Sequence, residues 1–119
     1  MARRIALALP LLLCLAHPAA AHHGWGGYDA AAPVTLSGSV ERVEAQGPHA
    51  TLWLRAADGR TWEVVLAPPT RMANRGLPAT RLEPGQRVEV MGYPHRTQPG
   101  EMRAEWIRAP GLAQPVQLR

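Results

Sequence analysis

The sequence predicts an all-β protein, a small five-stranded OB-like barrel with one short helix between strands 3 and 4, preceded by an N-terminal signal peptide. Three observations lead to it. Runs of alternating apolar and polar residues recur from Val34 to Arg108, separated by the turn dipeptides Gly47-Pro48, Asp58-Gly59, Pro84-Gly85 and Pro99-Gly100, and a two-residue period marks a strand with one face turned inward. One stretch, PPTRMANRGLPATRL, abandons the period, and it falls between the third and fourth runs. With 12 prolines, 11 glycines and no phenylalanine in 119 residues, turn-rich β structure suits the composition better than helices do.

The chain opens MARR and then runs apolar from Ile5 to Ala16, the basic n-region and short h-region of a secretory signal. Spanning a bilayer takes about 20 apolar residues, so this run is too short to do so. Ala19 and Ala21 stand at −3 and −1 of a cut after Ala21, the small-residue pair that signal peptidase requires. A cut after Ala20 would put Pro18 at −3. The expected signal peptide is therefore 1–21, and the mature chain starts at His22. Cys14, the one cysteine, lies inside the apolar run behind Leu13, where a lipoprotein signal wants a small residue. The mature chain thus has no thiol and no disulfide. Arg3-Arg4 is a twin-arginine pair in a poor context for that export route, so the expected path is Sec export to the periplasm, with membrane contact only during export. Losing Arg3 and Arg4 lowers the formal charge from +4 to +2, which removes the simplest argument for nucleic-acid binding.

Residues 22–33, HHGWGGYDAAAP, have no period and read as a flexible arm. The barrel domain is expected over 34–109. Its first strand runs from Val34 to Ala45, with Val34, Leu36, Gly38 and Val40 on one face and Val43 out of phase, as a bulge near Glu41 would produce. A strand from Ala50 to Ala56 and another from Thr61 to Leu66 flank Asp58-Gly59, a strong two-residue hairpin signal. Leu52 and Leu54 are expected inward, opposite Val64 and Leu66 or Trp62, with Trp53 and Arg55 outward. Thr70 caps a short helix through Asn74, and Gly76 ends it in the left-handed conformation. Strands from Arg87 to Tyr93 and Met102 to Arg108 complete the set, and residues 110–119 form a loosely held tail. This strand order is that of an OB-type barrel, which closes its edges; an open sandwich of the same strands is the alternative. At least two of Trp53, Trp62 and Trp106 are expected to fill a core that lacks phenylalanine.

Several segments together, AHHGW and YD within 21–29, PVTLSGSVERVE at 33–44, GPHATLWL at 47–54, WEVVLAPP at 62–69, RGL at 75–77 and LEPGQRVEVMGYPHR at 82–96, resemble a family of small exported bacterial proteins classed only as a domain of unknown function. The resemblance implies an exported OB-like barrel with histidines after the signal and a further one in Pro48-His49. It implies no activity. Gly47 stands where the family usually has asparagine before Pro-His, and Thr51 where it has an aromatic.

The sharpest chemistry is at the new amino terminus. Cleavage before His22 puts an α-amine and an imidazole on one residue, His23 follows, and a third imidazole from the fold would complete a nitrogen set that selects Cu(II). His49, in the rigid Gly-Pro-His corner, is the candidate third ligand, and His95 the alternative. If Ala21 came first, His23 in third place would form another copper chelate. The plain reading is a polar start downstream of a cut site, with His49 holding the corner through a backbone carbonyl. Met72, Met91 and Met102 are soft enough for Cu(I), but strand methionines more often fill the core. No nucleophile elbow, Ser-His-Asp arrangement, phosphate loop or HExxH occurs, so no enzyme activity is expected. Copper is the one candidate cofactor. Partners are expected to be a small ligand, a protein or a glycan, and not nucleic acid. Trp53 and Arg55 would form the partner face of an interaction module.

Overall fold

The computed structural model describes residues 24–119. The expected signal peptide, His22 and His23 lie outside the described residues. Strand β1 (Val34–Glu44) carries the expected irregularity: its register with β2 (Thr51–Ala56) shifts between Val40 and Arg42. The bulge lets one strand serve two partners. Its second half pairs antiparallel with β2, Glu44 opposite Thr51, while its first half pairs with β4 (Arg87–Pro94), Val34 opposite Gly92. β2 turns into β3 (Thr61–Val65) at Asp58-Gly59, where Gly59 takes φ +81° and the Asp58 carboxylate accepts the Arg60 N–H.

Closure comes from β5 (Glu101–Arg108), which runs antiparallel to β4 and parallel to β3 through Glu63–Glu101, Val64–Met102 and Val65–Arg103. The order β3-β2-β1-β4-β5 with a β3–β5 pairing is a closed five-stranded barrel. Between β3 and β4 lie α1 (Pro69–Asn74) and a 3-10 turn, Ala79–Arg81. This segment seats Met72, Leu77, Ala79 and Leu82 in the core. The helix is not capped by Thr70. Its N-cap is Pro68 without a side-chain bond, because Pro68-Pro69 already sets the φ that a first turn needs. Gly76 ends it at φ +92°, as expected.

The core is aliphatic. Leu52 faces Val64 and Leu54 faces Trp62 across β2 and β3, with Val90, Met102 and Ile107 completing the wall. None of the four tryptophans is fully buried, which corrects the expectation that two would fill the interior. A second irregularity explains Trp106: the register of β4 with β5 slips so that Met91 opposes Trp106 and Gly92 opposes Ala104. Ala104 and Ile107 both point inward, and Trp106 is left outside. Trp62 keeps the inward parity of Val64 but sits near the start of its strand and stays half-buried.

The tail and the described part of the arm are both more ordered than the sequence suggested. The tail adds β6 (Val116–Gln117) to β5, buries Val116 and Leu118, and donates the Leu118 N–H to the Glu105 carbonyl. Its carbonyls also accept from α1 and its C-cap residue, Arg75 on Gln117 at 2.6 Å and Arg71 on Leu118 at 3.3 Å. The described part of the arm is docked, through a 3-10 turn at Trp25–Gly27, a bridge between Tyr28 and His95, and the Asp29 N–H on the Pro94 carbonyl. Glycine permits the close approach, since a Cβ on Gly27 would lie 3.3 Å from the His95 Nε2.

Candidate functional site

Trp53 and Arg55 do point outward on β2, as the alternation requires. The Arg42 guanidinium lies 3.5 Å from the centre of the Trp53 ring. Arg55 donates to the Glu41 carboxylate at 2.6 Å, and Thr61 donates to its other oxygen at 3.1 Å. The charges on this face answer one another, so its polar groups offer a partner little that is not already bonded.

The histidines lie elsewhere. His95, just past β4, accepts the backbone N–H groups of Thr97 and Gln98 at Nδ1, both at 3.1 Å. Two donors on Nδ1 make that nitrogen the acceptor and leave Nε2 to carry the ring N–H. His95 therefore staples the turn after β4, and its ring stands edge-on to Tyr28 with centroids 5.0 Å apart. A metal on Nε2 would have to displace that proton onto a nitrogen already facing two N–H groups.

His49 stands at the entrance to β2, and its Nε2 lies 3.1 Å from the Nη2 of Arg103. Arginine only donates, so this nitrogen accepts. Arg103 is the residue that sequence reasoning missed. Its parity on β5 is outward, between the inward Met102 and Ala104, and a polar outward residue reads as a solvent face. Yet it is only 7% exposed, because the arm lies over it: its guanidinium sits 4.3 Å from the Trp25 ring centre and Nη1 donates to the Gly24 carbonyl at 3.4 Å. Burial lowers its pKa, and the nearby Arg71 and Arg119 push the same way against the Tyr28 hydroxyl. Arg119 lies 4.8 Å from the same indole.

Tyr28 completes the corner. Its hydroxyl donates to the Glu101 carboxylate at 2.6 Å, and burial, then that bond, raise its pKa well above the usual value. The folded hydroxyl keeps its proton at pH values where the unfolded one loses it. The resulting stability is complete below the unfolded tyrosine pKa of about 10 and is lost as pH rises beyond it. Tyr28→Phe should cost about 1.5 kcal/mol near neutrality, the worth of a hydrogen bond to a charged acceptor. It should also flatten the alkaline fall in urea midpoint between about pH 8 and about pH 11, and an unchanged fall would show that Tyr28 does not cause it.

Among the described residues no three histidines, cysteines or carboxylates gather as a metal site. His49 and His95 are instead joined through the arm, Gly24 lying against Arg103 on the His49 side and Gly27-Tyr28 against His95. Met72 and Met102 are fully buried and Met91 faces outward, half-buried.

One protein-family model, described as a family of unknown function (DUF6152), matches residues 8–103, which is most of the chain. This protein belongs to that family. The DUF6152 match takes in His22, His23, His49, His95 and Arg103 and stops short of β6. It agrees with the family likeness read from the segments above. No curated protein matches the chain. Among solved structures it is similar to a chain of the S. pombe Stn1–Ten1 complex, at TM-score 0.54 and 17% identity, over 69% of this chain and 59% of that one. The DUF6152 chain thus matches about three-fifths of that chain's length, and the likeness establishes the OB-like barrel.

Proposed function

We propose that this DUF6152 protein is a non-enzymatic binding domain, exported to the periplasm by residues 1–21, whose mature amino terminus at His22-His23 holds Cu(II) with His49 as the third imidazole. The observation that carries the reading is the seat of Gly24, the residue after His23. Its carbonyl accepts from Arg103, and Arg103 donates to His49. Gly24, which follows the two histidines in the sequence, therefore lies on the same arginine as His49. Amine and imidazole nitrogens in a near-planar set suit Cu(II) over other divalent ions. Loading has a definite requirement: the guanidinium must leave the His49 Nε2, and its stack on Trp25 gives it a place to stay.

Mass spectrometry of the exported protein fixes the first residue, and copper titration followed by electron paramagnetic resonance tests the ligand set. His49→Ala should change the nitrogen hyperfine pattern and weaken copper by about tenfold, the usual scale for losing a supporting ligand. A spectrum and affinity unchanged by His49→Ala would overturn the fold-completed site.

A second reading rests on Trp53, an aromatic kept outward on β2 beneath Arg42. The similar S. pombe chain belongs to a protein complex, and a barrel face is one means of forming such contacts. On this reading Trp53→Ala abolishes the biological effect and deletion of residues 22–28 does not. The copper reading requires the reverse.

A further inference from the structure

Two rows of side chains cross the outer face of the barrel where β1, β4 and β5 lie side by side. One is Thr35, Met91 and Trp106, and the other is Ser37, Glu89 and Arg108. The slip in β5 sets the Trp106 indole outward against the Met91 thioether, both half-buried, and apolar area left in water on a sheet face is area that a partner would bury. The other three tryptophans each have a guanidinium over the ring, Arg42 on Trp53, Arg60 on Trp62 and Arg103 on Trp25. Trp106 has no such cover, and no ring contact, among the described residues.

The second row carries charge that its own chain holds loosely. Glu89 accepts from the Ser37 hydroxyl at 3.3 Å and lies 3.9 Å from the Arg108 Nε, both longer than a charge-assisted bond of about 2.8 Å. Arg87, at the start of β4, is exposed, and its side chain has no hydrogen bond or ion pair among the described residues. Here the surface dips into a shallow hollow of about 340 Å³, walled by Ser37, Arg87, Glu89 and Arg108 with the buried Val88 and Ala109 beneath. Trp106 and Arg108 are two residues apart on one side of β5, so about 7 Å separates the indole from the hollow. An apolar knob beside a hollow that carries both signs of charge is complementary to itself.

We propose that this outer face of β1, β4 and β5, centred on Trp106, is a two-fold self-association surface that takes a second copy of this chain. A two-fold interface makes each contact twice, residue i of one copy on residue j of the other and the reverse. With the axis between the two rows, each indole enters the other copy's hollow and each Glu89 faces the other copy's Arg108. A partner carrying one sign of charge would set like charges against either Glu89 or the two arginines, whereas a second copy answers both. Tryptophan, methionine and arginine are also the residue types enriched at the centres of protein interfaces. The surface uses neither the arm nor His49 and Arg103, and it is independent of the copper reading.

Sedimentation equilibrium of the protein, with a chelator present to remove any bridging metal, should show a reversible dimer with a Kd of about 100 µM or tighter. Trp106→Ala should weaken it about thirtyfold or more, the scale for truncating a central tryptophan. Glu89→Arg and Arg108→Glu should each weaken it about tenfold or more, because each sets like charges across the interface. Mixed in equal amounts, these two charge variants should associate with each other as tightly as the parent does with itself, although neither chain regains its own Glu89–Arg108 pair. A folding defect produces no such recovery, so the mixture decides the matter even where Trp106→Ala fails to fold. Arg60→Gln, at the hairpin between β2 and β3, should leave the dimer unchanged. A protein that stays monomeric at about 500 µM would overturn the proposal, and so would a dimer that Trp106→Ala leaves intact or a mixture of the charge variants that does not associate.

Discussion

Gly92→Ala should cost the barrel about 3 kcal/mol or more, beyond the usual range for an added methylene in a packed core. Gly92 does not need a left-handed backbone. It needs space: a Cβ there would stand 2.1 Å from the Arg103 carbonyl oxygen and 2.7 Å from the Ala104 Cα. Those are backbone atoms of β5, which pairs with β4 on one side and with β3 on the other, so neither strand can retreat without opening the closure. The same substitution should disturb the candidate site, because the Arg103 side chain hangs from the backbone that the new methyl would push. Urea denaturation of Gly92→Ala against Gly26→Ala is the measurement. Gly26 has nothing within 4 Å of its Cβ position and supplies the control. Equal midpoints would mean that β4 and β5 do not cross as closely as described.

Deleting residues 115–119 should destabilise the protein by about 4 kcal/mol, the scale for removing a large buried aliphatic side chain together with a smaller one. Leu118 is 1% exposed and Val116 7%, and both are joined to the barrel by β6 and by the Leu118 N–H bond to Glu105. For a domain of this size the melting temperature should fall by roughly 15 °C. Leu118→Ala alone should account for more than half of the loss, whereas removing Arg119 alone should leave the melting temperature nearly unchanged. A deletion variant that melts with the full chain would show that the tail is peripheral.

These two effects differ in how far the sequence foretold them. The bulge near Glu41 was readable because Val43 breaks the phase of Val34, Leu36, Gly38 and Val40, and a phase break within one strand has few other causes. The slip in β5 left no such mark. Arg103, Ala104, Glu105 and Trp106 are compatible with either parity, and only the pairing with β4 shows that Trp106 faces out. The tail failed for a related reason. Val116 and Leu118 are two apolar residues among polar ones, too few to show a period, and their burial depends on a groove made by β5 and α1.

The candidate site divides the same way. The histidines were conspicuous as residue types, and His49 was placed correctly at the corner before β2. Its partner was not, since an outward arginine on a strand is ordinarily solvated, and what buries Arg103 is an arm whose composition reads as flexible. Aromatics at positions 25 and 28, spaced by two glycines, were the available signal that the arm might dock: the rings supply contact area, and glycine lets the backbone lie flat.

Alternation, turn dipeptides and the one aperiodic stretch were enough, by themselves, to determine the strand set, the hairpin and the helix between β3 and β4, because each is a local property of a few neighbouring residues; that the sheet closes into a barrel and does not open into a sandwich was decided by the β3–β5 pairing. Which polar residues become buried, how the tail and the described part of the arm are held, and that His49 meets Arg103 under Trp25 were decided only in three dimensions. Those contacts join residues about 50 to 80 positions apart, and their existence depends on sheet closure, which no single segment encodes.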